Sequence, residues 1–204
     1  QGHVSRVEIF DGMTLDVNLG SGSSNEFSVV LTDYDAGSAA IDQAAGEITT
    51  GRVGSGSVSF TDSRVVKDGI LLKGANSYTG TTTINADTRI ILGNATSALG
   101  SEAAHTAELV MNAAGAELDL NGNTANIGKL AMASGSKINL NGGALNIIAN
   151  STGTPVVTGG GTVAGTDALT GAGTIRLGLG TLTISGSNAG VQAATTVEDG
   201  AKLV

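Results

Sequence analysis

The chain has no cysteine and no tryptophan, a single proline, and only three phenylalanines and two tyrosines in 204 residues. Each scarcity excludes something. Without cysteine there is no disulfide framework and no cysteine-ligated zinc site. Ten Lys and Arg against eighteen Asp and Glu give a net charge of −8. That is too few cations for a nucleic-acid binder that works by neutralising phosphates, and the rings are too few to stack bases. No run of 18 apolar residues exists to make a membrane-spanning helix. No G-x-y period exists, which removes a collagen-like rod.

Gly (32), Thr (24), Ser (18) and Asn (14) are plentiful. Such a mixture suits a flexible linker, but 40% of the residues are hydrophobic, mostly Val, Ile, Leu and Ala. Disordered chains lack that apolar content. Ordinary cores of this size use aromatic rings, because rings bury the most area. A core built almost wholly from aliphatics must be narrow, made of thin stacked layers.

Short period-two bursts run along the chain: Leu15-Asp16-Val17, Val58-Ser59-Phe60, Leu118-Asp119-Leu120, Ile138-Asn139-Leu140, Leu145-Asn146-Ile147 and Leu182-Thr183-Ile184. Alternation over three to five residues is the strand signal, and Gly, Asn or Asp ends each burst as a turn. Helix signals are weak. Residues 97–115 come closest, and residues 36–48 suggest at most a helical turn.

The bursts recur. Gly115, Leu118, Leu120 and Asn121 return 20 residues later as Gly135, Ile138, Leu140 and Asn141. Gly12, Leu15, Val17 and Asn18 have the same G-x-x-Φ-x-Φ-N spacing, with Φ aliphatic, and Gly200 to Leu203 begins another unit. One such unit cannot bury its apolar face alone; stacked units can. Twenty residues fit one coil of three short strands and three turns, so the chain holds roughly eight to ten coils. The expected fold is all-β, a parallel β-solenoid of about 20-residue coils. Asn18, Asn121 and Asn141 then either start turns or stack as an Asn ladder.

Residues 70–84 read Ile-Leu-Leu-Lys-Gly74-Ala-Asn76-Ser-Tyr78-Thr-Gly80-Thr-Thr-Thr-Ile, followed by Ile90-Ile91-Leu92. This stretch resembles the passenger-associated repeat of bacterial type V autotransporters, whose pattern runs L-x-L-x-G-x-N-x-Y-x-G-x-T-T-V-x-x-G-x-L. A second, decayed copy runs through Leu182, Ile184, Gly186, Asn188, Thr195-Thr196-Val197, Gly200 and Leu203. It lacks the Tyr-Thr-Gly element and carries one extra residue before Thr-Thr-Val. In the first copy Asp87 stands where the pattern has glycine; Asp tolerates positive φ better than most residues. The copies occupy 66–100 and 178–204, about a quarter of the chain by matched positions. Residues 20–55 match nothing in the pattern and are expected to be an excursion, hairpin or cap.

The resemblance implies a right-handed parallel β-helix, exported through the periplasm to the bacterial surface by a C-terminal outer-membrane barrel. On that reading residues 1–204 are one piece of a longer passenger, near its C-terminal stalk. The implied partners are that barrel and the distal passenger, with a host-cell surface, matrix or the chain itself as alternatives. The implied role is a non-catalytic stalk and folding nucleus of an adhesin or virulence factor. Direct adhesion or self-association through the long faces is the alternative, and a polysaccharide-acting enzyme is a third. A lack of cysteine suits export through the outer membrane unfolded.

Candidate chemistry is sparse. His3 and His105 lack a neighbouring ligand at metal spacing, and no G-x-S-x-G elbow is present. Asp33-Tyr34-Asp35-Ala36-Gly37 opens like a calcium loop but lacks the later ligands. Gly51 to Gly56 is glycine-rich but precedes a strand, which does not suit a phosphate loop. Asn94-Ala95-Thr96 and Asn150-Ser151-Thr152 are glycosylation sequons of no consequence in a bacterial protein. Asp62 and Asp68 flank Arg64 and Lys67, and Asp16 and Asp119 hold matching repeat positions; these are the carboxylates a carbohydrate-cleaving groove would use. Their bland reading is a solvated outer face. Tyr78 is expected to pack on a neighbouring turn. No catalytic, metal or cofactor residue is assigned.

Overall fold

In the computed structural model the described residues are 6–9, 12–20, 26–27, 30–33, 56–74, 76, 78–93, 99, 108–148, 161–163, 168–178, 180–184, 188 and 191–204. Among them there is no helix. Nineteen strands follow in order: β1 (Arg6–Ile9), β2 (Thr14–Leu19), β3 (Glu26–Phe27), β4 (Val30–Asp33), β5 (Ser57–Asp62), β6 (Ile70–Leu72), β7 (Thr82–Ile84), β8 (Arg89–Leu92), β9 (Leu109–Met111) and β10 (Glu117–Asp119). They continue as β11 (Thr124–Ile127), β12 (Leu130–Met132), β13 (Lys137–Asn139), β14 (Ala144–Ile147), β15 (Gly161–Val163), β16 (Leu169–Leu177), β17 (Gly180–Ile184), β18 (Val191–Val197) and β19 (Ala201–Leu203).

Every pairing between these strands is parallel. One sheet has eight strands in the order β19-β17-β15-β12-β9-β7-β5-β2. A nine-stranded sheet runs β11-β14-β16-β13-β10-β8-β6-β3, with β18 on β16, and β1 pairs with β4 separately. The chain passes from one sheet to another and returns beside its own earlier strand. Ile70 pairs with Ile90 and Leu118 with Ile138, each 20 residues on. Leu109 pairs with Leu130 and Leu182 with Leu203, each 21 on. These returns match the 20-residue recurrence. Elsewhere the lap is longer: Thr14 pairs with Ser57, Leu109 with Thr82, and Leu130 with Gly161. The eight strands of one sheet meet the lower end of the expected coil number.

Parallel register puts like on like. Ile70, Ile90, Leu118, Ile138 and Leu169 form one continuous pairing column, and all five are buried. Ala125, Leu145 and Ile175 make a second, and Ile127, Ile147 and Leu177 a third. Buried alternation over β5 (Ser57–Asp62) and β8 (Arg89–Leu92) sends every second residue inward, the period-two geometry of a strand with one wet face. Aliphatic side chains fill this interior because rungs ~4.8 Å apart leave each residue one layer of height. The rings come where the plain pattern changes: Phe60 and Tyr78 are both fully buried.

Two expectations need correction. Residues 20–55 are not wholly outside the repeat, since β3 pairs with β6 and β4 with β1 as ordinary parallel rungs; residues 34–55 lie outside the described residues. Within 97–115, the part expected to be most helical holds β9 instead. Leu109 and Met111 are buried on one side of it, so packing on neighbouring rungs overrides the helix-forming alanines. The expected helical turn at 36–48 lies outside the described residues.

Candidate functional site

The family-like block is the first place to look. After β6 the chain crosses to the eight-stranded sheet through Gly74, Asn76, Tyr78 and Gly80, all of them buried. The Asn76 side-chain oxygen accepts the backbone N–H of Leu31, 2.9 Å away and 45 residues earlier. The Tyr78 hydroxyl lies 2.7 Å from the Thr82 hydroxyl, which gives a buried inward threonine a partner. The Gly80 N–H donates to the Gly56 carbonyl at 3.0 Å, and a Cβ on Gly80 would overlap that carbonyl. The motif residues thus join successive laps from inside. None faces solvent, and Tyr78 packs as expected.

The second copy does the same work one strand out of step. The first crosses from the nine-stranded to the eight-stranded sheet; the second leaves β17 in the eight-stranded sheet and enters β18 on β16. Even so, the Asn188 side-chain oxygen accepts the N–H of Leu169, 2.9 Å away in the preceding lap, as Asn76 does for Leu31. Gly186 lies outside the described residues.

Corners are set by left-handed backbone. Gly12, Gly115, Gly135 and Gly200 have φ of 69°, 76°, 85° and 83°, a region glycine enters at little cost. Asp87 has φ 51°, so the Asp that replaces the pattern's glycine takes up the same turn. Asn121-Gly122 and Asn141-Gly142 are both left-handed at each residue. The turn reading of Asn121 and Asn141 therefore holds. The Asn141 amide reaches the Asp119 carboxylate at 3.4 Å rather than a stacked Asn. Asn18 lies inside β2, in the other sheet, and does not stack over them. Leu15 and Val17 likewise belong to the eight-stranded sheet, whereas Leu118, Leu120, Ile138 and Leu140 line the nine-stranded one.

Amide ladders exist at other positions. Asn146 donates to the Asn126 side-chain oxygen at 2.8 Å. Asn112 donates to Asn85 at 2.7 Å, and the Asn85 amide donates to Ser59, the Phe60 carbonyl and Thr61. The signal for the first pair was present: identical residues 20 apart between two aliphatics. It was obscured because the repeat was aligned on the asparagines that end the unit.

Charged groups are brought together at two corners. Between β5 and β6 the buried Asp62 carboxylate receives Arg64 Nε at 2.8 Å and Nη2 at 2.7 Å, plus the Arg64 backbone N–H at 3.1 Å. Arg64 also donates to the Gly69 carbonyl at 3.0 Å and meets Asp68 at 2.9 Å. On the outer face, Arg89 pairs with Asp119 at 2.5 Å and with Glu117 at 3.2 Å. Asp119 is buried and also accepts the Asn121 N–H at 2.9 Å. Asp16 is exposed on β2 beside Ser59, in a different sheet, so the expected equivalence of Asp16 and Asp119 does not hold. Asp62, Asp68 and Asp119 are bound by arginine and by backbone rather than lined along a groove.

Hydrogen bonds from the Arg64 guanidinium hold the Asp62 carboxyl below the usual carboxylate range, outweighing burial, which pushes it up. A depressed pKa contributes stability above the unfolded value of ~3.9 that is lost as pH falls through the folded value. Asp62→Asn is expected to lose about 2 kcal/mol at pH 7, the worth of hydrogen bonds to a charged group. The difference from wild type should shrink between pH 4 and pH 2. Thermal melts across that range check it.

Neither a family model, nor a curated protein, nor a solved structure matches the chain. Among the described residues no three His, Cys, Asp or Glu side chains gather as a metal site, and no helix is long and apolar enough to cross a membrane. His3, His105, residues 34–37 and 51–55, and both sequons lie outside the described residues.

Proposed function

We propose that this chain is a structural segment of a right-handed parallel β-helix, a non-catalytic part of a surface-displayed autotransporter passenger. It acts as a rigid stalk and as a folding nucleus for the region beyond it. The observation that carries this reading is the role of the motif side chains. Asn76, Tyr78 and Gly80, where the sequence most resembles the passenger repeat, spend their chemistry inside the stack on neighbouring laps. Such residues serve assembly and stiffness, not recognition. Parallel columns of aliphatics support it as well, since each lap offers the next a ready edge and a matching apolar row.

Export is the test. The chain is placed behind an export signal and ahead of an outer-membrane barrel in a Gram-negative cell, with a reporter at its distal end. Full display of the reporter, without adherence by the segment itself, is the expected result. Retention of the chain in the periplasm would contradict the stalk reading.

Direct adhesion or self-association is the second reading, favoured by the hydroxyl-rich outer column Ser59–Thr83 of the eight-stranded sheet. Removing residues 20–55 separates the two. Binding lost with display intact supports adhesion; display lost supports a folding role.

A further inference from the structure

We propose that the folding nucleus is the pair of laps from β9 to β14, residues 109–148, and that the stack grows outward from it toward both ends. This deepens the folding part of the function proposed above and names where in the chain it resides.

Two regions have the short lap that favours early closure. Within 109–148 the strands return after 20 or 21 residues at all three faces: Leu109 to Leu130, Leu118 to Ile138 and Ala125 to Leu145. From β15 to β19 the returns are equally short, as in Gly161 to Leu182 and Ala172 to Gln192. Loop closure alone does not choose between them, because its cost changes slowly with length.

The inward columns do choose. In 109–148 apolar side chains sit over apolar side chains at each level: Leu109 with Leu130, Met111 with Met132, Leu118 with Ile138, Ala125 with Leu145, and Ile127 with Ile147. All of them are buried. Toward the C-terminus the columns weaken. Leu182 pairs with Gly161, and Ile175 with Thr195. Val197 and Leu203, in the same columns as Leu177 and Leu182, are 42% and 43% exposed.

The corners point the same way. Each turn of 109–148 closes on itself through local bonds: Ala116 N–H to the Ala113 carbonyl at 3.3 Å, Ser136 N–H to Ala133 at 3.2 Å, Asn123 N–H to Leu120 at 2.8 Å and Gly143 N–H to Leu140 at 2.6 Å. These bonds form before any long-range contact is needed. Local contacts made early set the folding rate. A two-lap unit of this kind is the smallest piece in which one rung covers another, which is what a solenoid needs before adding rungs becomes favourable.

Pulse-labelled hydrogen exchange during refolding of the 204-residue chain tests this. Amides of residues 109–148 are expected to gain protection first, before those of 56–92 and 169–204. Protection arising first in 169–204, or everywhere at once, would overturn the proposal. Kinetics supply a second readout. Ile138→Val is expected to slow refolding about threefold while hardly changing unfolding, whereas Leu182→Ala mainly speeds unfolding. The reverse pattern would overturn it. Neither readout depends on export, so failure of the stalk reading and failure of this one are separable.

Discussion

Leu118→Asp is expected to abolish cooperative folding of the central laps, with a loss of at least ~4 kcal/mol. Leu118 is fully buried between Ile90 and Ile138 in the longest aliphatic column of the stack. A carboxylate there loses the transfer energy of the leucine and must also be desolvated in a layer with no cation at its height. Relief by rotation is closed, because a strand residue that turns its side chain outward slips the register and turns its neighbours inward. Those neighbours are Glu117 and Asp119. Ile138→Asp should match it, whereas Lys137→Asp, one residue away on the exposed face, should cost less than ~1 kcal/mol. Urea melts followed by circular dichroism give the comparison. Wild-type midpoints for both buried variants would mean that the inward assignment is wrong.

Gly80→Ala is the second large effect, and it separates two reasons for keeping a glycine. Gly80 has ordinary φ but no room: an added Cβ would run into the Gly56 carbonyl that its own N–H engages. Backbone cannot step aside as a flexible side chain can, so the two laps must part. The expected loss is about 3 kcal/mol, in the range of overpacking with a lost hydrogen bond. Gly122 is the opposite case, with φ 76° and nothing within 4 Å of a Cβ. Gly122→Ala meets only the left-handed backbone cost, about 1 kcal/mol. Gly115 combines both features, with φ 76° and Asp87 against its Cβ, so Gly115→Val should fall near the first. Thermal melts of the three variants give the order; equal effects would show that space between laps is not what fixes Gly80.

The repeat was legible where one residue type has only one physical use. Gly115 and Gly135 mark left-handed corners, Leu118 and Ile138 mark the inward face, and the 20-residue offset is the strand register itself. Asp87 could be placed at a glycine position because few other residues accept positive φ. What failed were inferences that needed to know which sheet a unit joins. Gly12 to Asn18 has the spacing of Gly115 to Asn121, yet its strand belongs to the other sheet. A strand's pattern records that one side is buried, not against what. The two family-like copies differ by one strand for the same reason. The Asp62–Arg64 pair was read only as charges near each other. Its burial follows from Asp62 occupying an inward slot at the end of β5, where alternation would place an aliphatic. The lap lengths of 21 to 43 residues could not be read either, because insertions at corners leave the strand pattern untouched.

The parallel, one-lap register underlies every part of the account, and engineered cysteines test it directly in a chain that has none of its own. Glu117 and Lys137 are register partners on neighbouring parallel strands. Such strands lie ~4.8 Å apart, inside the range a disulfide spans. The account predicts that Glu117→Cys with Lys137→Cys oxidises to an intramolecular disulfide in the folded chain. Glu117→Cys with Ile138→Cys should not, since residue 138 points inward. Equal oxidation of both pairs, or oxidation of the second alone, would contradict the stacked parallel rungs.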